Sequence, residues 1–124
     1  MPVTYRIDGD LVELTWKDVC PPDEVFETFH QALEDPELPD EFVLLADVRG
    51  STSLASRPTA EIIRVAEYLG PFRDRVKRCA VLASEDIHFG LGRLGAVYSE
   101  TAGVMTSVFR DRDEALAWLR SVTE

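Results

Sequence analysis

At 124 residues the chain matches the commonest size of a single domain, and on folding it hides roughly two thirds of its surface, enough for a core without disulfides or metal. Its 23 acidic against 13 basic residues leave a net charge of -10, which repels nucleic acid and anionic membrane at long range and excludes both as expected partners. Two cysteines without metal spacing suit a reducing compartment, the opening MPVTYRIDGD lacks the pattern of a secretory signal, and no apolar run approaches the roughly 20 residues of a membrane span, so one cytoplasmic domain over residues 1–124 is expected.

VTYRID (residues 3–8) and LVELTWK (11–17) alternate apolar and polar side chains, with Val3, Tyr5 and Ile7 on one face and Val12, Leu14 and Trp16 on another. Asp8-Gly9-Asp10 between them is a tight-turn sequence, so the chain opens with an antiparallel hairpin. Pro22, Asp23 and Glu24 then signal a helix start, and Val25, Phe26, Phe29, Ala32 and Leu33 form its apolar stripe. FVLLADV (42–48) reads as a buried central strand, and STSLASRP after it as a polar loop. TAEIIRVAEYLG is a helix closed by Gly70, and RCAVLA (78–83) is a second buried strand that carries Cys79 inward. DIHFGLGRLGAVYSETAG places Ile87, Leu91, Leu94 and Tyr98 at helical steps and ends near Gly103. VMTSVF is another strand, and DRDEALAWLRSV a last helix with Asp111 and Glu114 spaced as a capping box. The order β-β-α-β-α-β-α-β-α calls for an α/β fold, in which a mixed five-stranded sheet has an N-terminal antiparallel hairpin and parallel strands joined by helices.

Gly90, Gly92 and Gly95 have the spacing G-x-G-x-x-G of a dinucleotide-binding loop. That loop requires its first glycine directly after a strand, where the helix N-terminus meets the pyrophosphate. Here six residues separate Ala83 from Gly90, and the helical stripe already runs through the glycines. Asp111 and Asp113, about 20 residues on, stand where a ribose-binding acid would be, but Asp111 is better read as a helix N-cap. No NAD, and no other cofactor, is expected. Some of the three glycines are expected to serve close packing.

Ligands of open α/β sheets bind beyond the carboxyl ends of the strands. This chain places Arg49 and Ser51 there after one strand, Ser84, Glu85 and His88 after the next, and Arg110 and Arg112 after the last. Together with a helix N-terminus these residues would suit an anion, so Arg49, Ser51, Ser84, His88 and Arg110 are the candidate ligand-binding set. His88 beside Glu85 could exchange protons. Against this, arginines that flank strands commonly pair with acids, which are abundant here. No nucleophile elbow, P-loop, zinc spacing or EF-hand is present, the acids fall at helix starts and loops, and Phe26, Phe29 and Trp118 lie on core stripes. No catalytic residue, metal site or enzymatic activity is therefore expected.

YRIDGDLVELTW, LLADVRG, RVKRCAVLASEDIHFGLGRLG and the ending VFRDRDEALAWL together resemble the SpoIIAA-like, or STAS-like, family, in particular its small stand-alone bacterial members of unknown function. The resemblance runs the length of the chain and implies the SpoIIAA-like fold. It also implies a regulatory domain that works by protein–protein contact, with a protein partner or as a homo-oligomer such as a dimer. Better-known relatives are switched by phosphorylation in a D-S-x-G-like turn after a strand. The matching place here is Asp47 to Leu54, where Asp47 is present but D-S-x-G is not, which leaves Ser51, Thr52 and Ser53 as candidate phosphorylation positions. The alternative function is a module that binds a small anionic or amphipathic ligand in the crevice at the strand ends.

Overall fold

The computed structural model describes residues 3–18, 22–51, 67–68, 70–84 and 86–121. Strands β1 (Val3–Asp8) and β2 (Leu11–Asp18) form the expected hairpin, with Val3 opposite Trp16 and Asp8 opposite Leu11. Gly9 takes φ 62° in the turn between them, a conformation that favours glycine. Helix α1 (Pro22–Glu34) leads to β3 (Phe42–Ser51), and β4 (Val76–Leu82) follows a short 3₁₀ turn at Gly70–Phe72. Helix α2 (Asp86–Thr101), β5 (Thr106–Phe109) and helix α3 (Arg112–Arg120) complete the order. Most of the predicted helix before Gly70, like Cys20, Thr52, Ser53 and Glu85, lies outside the described residues.

The sheet runs β1-β2-β3-β4-β5, with β1 antiparallel to β2 and every later pairing parallel. Because β2 and β3 are parallel neighbours and such crossovers are right-handed, α1 packs on one face of the sheet. Val25, Phe29 and Ala32 of α1 are buried there against Val12, Leu14, Leu44 and Ala46, and Phe29 meets Phe72 edge-on at 5.6 Å. Helix α3, coming after the last strand, covers the opposite face: Ala115 and Leu119 pack on Val43, Leu45, Ala80 and Leu82. Arg78 stacks over the Trp118 ring and donates to the Trp118 carbonyl at 2.8 Å, which satisfies a carbonyl at the end of α3.

Three local expectations need correction. The loop expected from Ser51 begins later, because β3 continues to Ser51 by pairing Gly50 with Lys17 and Ser51 with Asp18 across a bulge. That continuation needs a glycine, since a Cβ at Gly50 would lie 2.7 Å from the Trp16 carbonyl oxygen. The strand expected from Val104 begins at Thr106. Asp111 does cap α3, but it accepts from the Asp113 amide at 3.0 Å and not from Glu114, the position that a capping box uses. Gly90 lies inside α2, as the stripe predicted, and a Cβ there would meet nothing within 4 Å.

Candidate functional site

Among the described residues, helix α3 packs on β3, β4 and β5 and reaches β2 at Leu11, and no described element covers the rest of that sheet face over β1 and β2. The period-two alternation of both strands decides what stands there. With Val3, Tyr5, Val12, Leu14 and Trp16 turned to the α1 side, Thr4 and Arg6 of β1 and Glu13 and Thr15 of β2 take the other face. The register makes them two cross-strand pairs, Thr4 with Thr15 and Arg6 with Glu13. Arg112, in the first turn of α3, reaches over from the covered half. Thr4, Arg6, Glu13, Thr15 and Arg112, together with Tyr5, line a depression of about 400 Å³.

Two acids of this face are nearly buried, and each is held by arginine. Glu13 receives both terminal nitrogens of Arg112, Nη1 on Oε1 and Nη2 on Oε2 at 3.0 Å, and Arg6 adds Nη2 to Oε2 at 3.4 Å. Asp47 accepts from Arg49 three times: from the backbone amide at 3.1 Å, Nε at 3.0 Å and Nη2 at 2.9 Å. Such fork-to-fork pairing compensates carboxylates taken out of water. The hydrogen bonds from Arg49 to Asp47 and from Arg112 to Glu13 raise both guanidinium pKa values above the ordinary arginine value, so both groups stay charged.

The candidate residues at the strand ends fall into separate sets. Arg49 is occupied by Asp47, and Ser51 is the last residue of β3. Ser84, exposed just after β4, accepts through its carbonyl from Arg110 Nη1 at 3.3 Å. His88 belongs to the first turn of α2, and its side chain lies outside what is described. Sequence reasoning missed Thr4, Arg6, Glu13 and Thr15, although the alternation that defined the hairpin already put all four on one face. Among the described residues no group of three or more His, Cys, Asp or Glu could hold a metal, and no helix is long and apolar enough to cross a membrane.

A crystal structure from Shewanella loihica PV-4 superposes on the chain with a TM-score of 0.59 at 18% identity, over 94% of this chain and 91% of that one. It is described as an uncharacterised protein from the DUF3478 family with a SpoIIAA-like fold. The chain has a SpoIIAA-like fold. No family sequence model matches it, and no curated protein does. At this identity the likeness to the SpoIIAA-like structure concerns the fold, and the polar depression over β1 and β2 is described from this chain alone.

Proposed function

We propose that the chain is a non-enzymatic binding domain of regulatory type, which engages a protein partner on the uncovered half of its sheet. The observation that carries this reading is the combination of an open β1–β2 face with polar groups fixed on it by ion pairs. An antiparallel hairpin at a sheet edge can present one solvated face, and a face with a rigid charge pattern discriminates among partners by complementarity. A photo-crosslinking side chain at Thr15, installed in the protein in its native cells, tests the reading. Adducts of one defined mass at position 15, and none from the same probe at Glu27 on α1, are expected. An adduct of twice the chain mass would make the partner a second copy. Equal labelling at both positions, or none at either, would overturn the reading.

A second reading, a small-molecule module, is favoured by the depression itself, whose volume falls within the range of ligand sites. It places the ligand over β1 and β2 and not at Arg49, Ser84 and Arg110. Retention of ligand by Arg49→Ala and its loss in Arg6→Gln would support that placement, and the reverse would refute it.

A further inference from the structure

We infer that the depression over β1 and β2 recognises a carboxylate, borne either by a free small acid or by an acidic side chain of a protein partner; this rests on the uncovered face being the binding face. The groups with unused hydrogen-bonding capacity there are a guanidinium, which only donates, and two hydroxyls, which can donate. Arg6 is 65% exposed and spends one nitrogen on a 3.4 Å contact. The hydroxyls of Thr4 and Thr15, a directly opposed pair beside it, make no side-chain hydrogen bond among the described residues. The acceptor in the depression is already taken, because Glu13 has Arg112 on one oxygen and both Arg112 and Arg6 on the other. A cation would therefore find no free carboxylate, whereas an oxyanion would find a guanidinium edge and two hydroxyls.

The charge balance selects among oxyanions. Arg6, Arg49 and Arg112 stand against Glu13, Asp47 and Asp113, so the group is neutral before a ligand arrives, on a protein whose net charge is -10. A carboxylate then brings one negative charge to the face and a phosphate dianion brings two, against the repulsion of the whole molecule. The planar fork of Arg6 also matches a carboxylate held through both oxygens.

The test is calorimetric titration of the full chain with succinate, with a blocked tripeptide containing a central glutamate, with inorganic phosphate and with succinamide. Binding of at least one carboxylate probe at millimolar concentration is expected, with phosphate weaker and succinamide silent. Arg6→Gln should weaken the carboxylate by about tenfold and Thr15→Val by several-fold, while Arg93→Gln on α2 leaves it unchanged. Arg6 is largely exposed, so its substitution removes little stability and loss of binding is not loss of fold. Tighter binding of the tripeptide assigns the carboxylate to a protein partner, and tighter binding of succinate to a free acid. Binding unaffected by Arg6→Gln and Thr15→Val together, stronger binding of phosphate, or no binding of either carboxylate overturns the inference. If partner crosslinking at Thr15 persists in that last case, the site's chemistry was misread and its role as a binding face was not.

Discussion

Glu13 and Arg112 stand 99 positions apart in the chain and meet as a two-pronged ion pair on the open face of the sheet. The pair ties the N-terminal hairpin to the first turn of the last helix. Its two ends are unequally placed: the Glu13 side chain is 11% exposed and that of Arg112 33%.

That inequality predicts unequal costs. Arg112→Ala leaves a nearly buried carboxylate with only the 3.4 Å Arg6 contact, and should lower stability by about 2–3 kcal/mol. Glu13→Gln leaves an arginine that can turn to water, and should cost about 1 kcal/mol. Urea denaturation of both single variants and the double variant measures this. The double variant should fall short of the sum by at least about 0.5 kcal/mol, and simple additivity would show that the two residues do not interact.

Gly90 and Gly50 should respond to alanine with opposite signs. At Gly90, inside a helix and with open space around a Cβ, alanine should stabilise by about 0.5–1 kcal/mol. At Gly50 the added carbon would press on the Trp16 carbonyl, a backbone atom that cannot turn aside, and the cost should be about 1–3 kcal/mol. The midpoints of urea unfolding decide both, and a destabilised Gly90→Ala would mean that this glycine has a role that its surroundings do not reveal.

Burial pushes the Cys79 thiol up to about 12 from an ordinary 9.0. The folded state therefore favours the neutral thiol. Its contribution is fully present below pH 9 and is lost as pH rises towards 12, at a rate of up to about 1.4 kcal/mol per pH unit. In a Cys20→Ser background the native protein should resist thiol reagents at pH 8 and react on unfolding. Cys79→Ala should flatten the fall of stability between pH 9 and 11, and an unchanged slope would refute the assignment.

Tyr5 gives a second alkaline contribution through a different bond. Its hydroxyl donates to Asp35 Oδ2 at 3.0 Å, which raises the phenol pKa above 10.0, with burial and the charges of Asp35 and Glu37 acting in the same direction. This stabilisation is present below pH 10 and disappears as the phenol ionises above it. Tyr5→Phe should be less stable than the parent by about 0.5–1.5 kcal/mol at pH 7, with the gap closing above pH 10. A gap independent of pH would point to packing as the cause.

The fold was readable wherever a local pattern had one physical solution. Asp8-Gly9-Asp10 between two alternating runs admits little besides a tight hairpin, and the stripe through Ile87, Leu91, Leu94 and Tyr98 carried α2 across three glycines despite their motif spelling. The extension of β3 to Ser51 was hidden, because Gly50 and Ser51 carry turn composition and become strand only when Lys17 and Asp18 lie alongside. The depression was hidden for a related reason. Alternation placed Glu13 on the polar face of the hairpin, but whether that face meets water or a helix depends on how far α3 extends over the sheet. Nothing local to residue 13 signals Arg112.

The sequential strand order has a consequence for how the chain is made. Each strand from β2 to β5 can join the growing edge as it leaves the ribosome, since its neighbour is already present, but α3 comes last. Until it docks, Val43, Leu45, Ala80 and Leu82 form a bare apolar strip on a nearly finished sheet. Nascent or truncated chains that stop short of Arg112 should therefore be the species that chaperones hold and that aggregate.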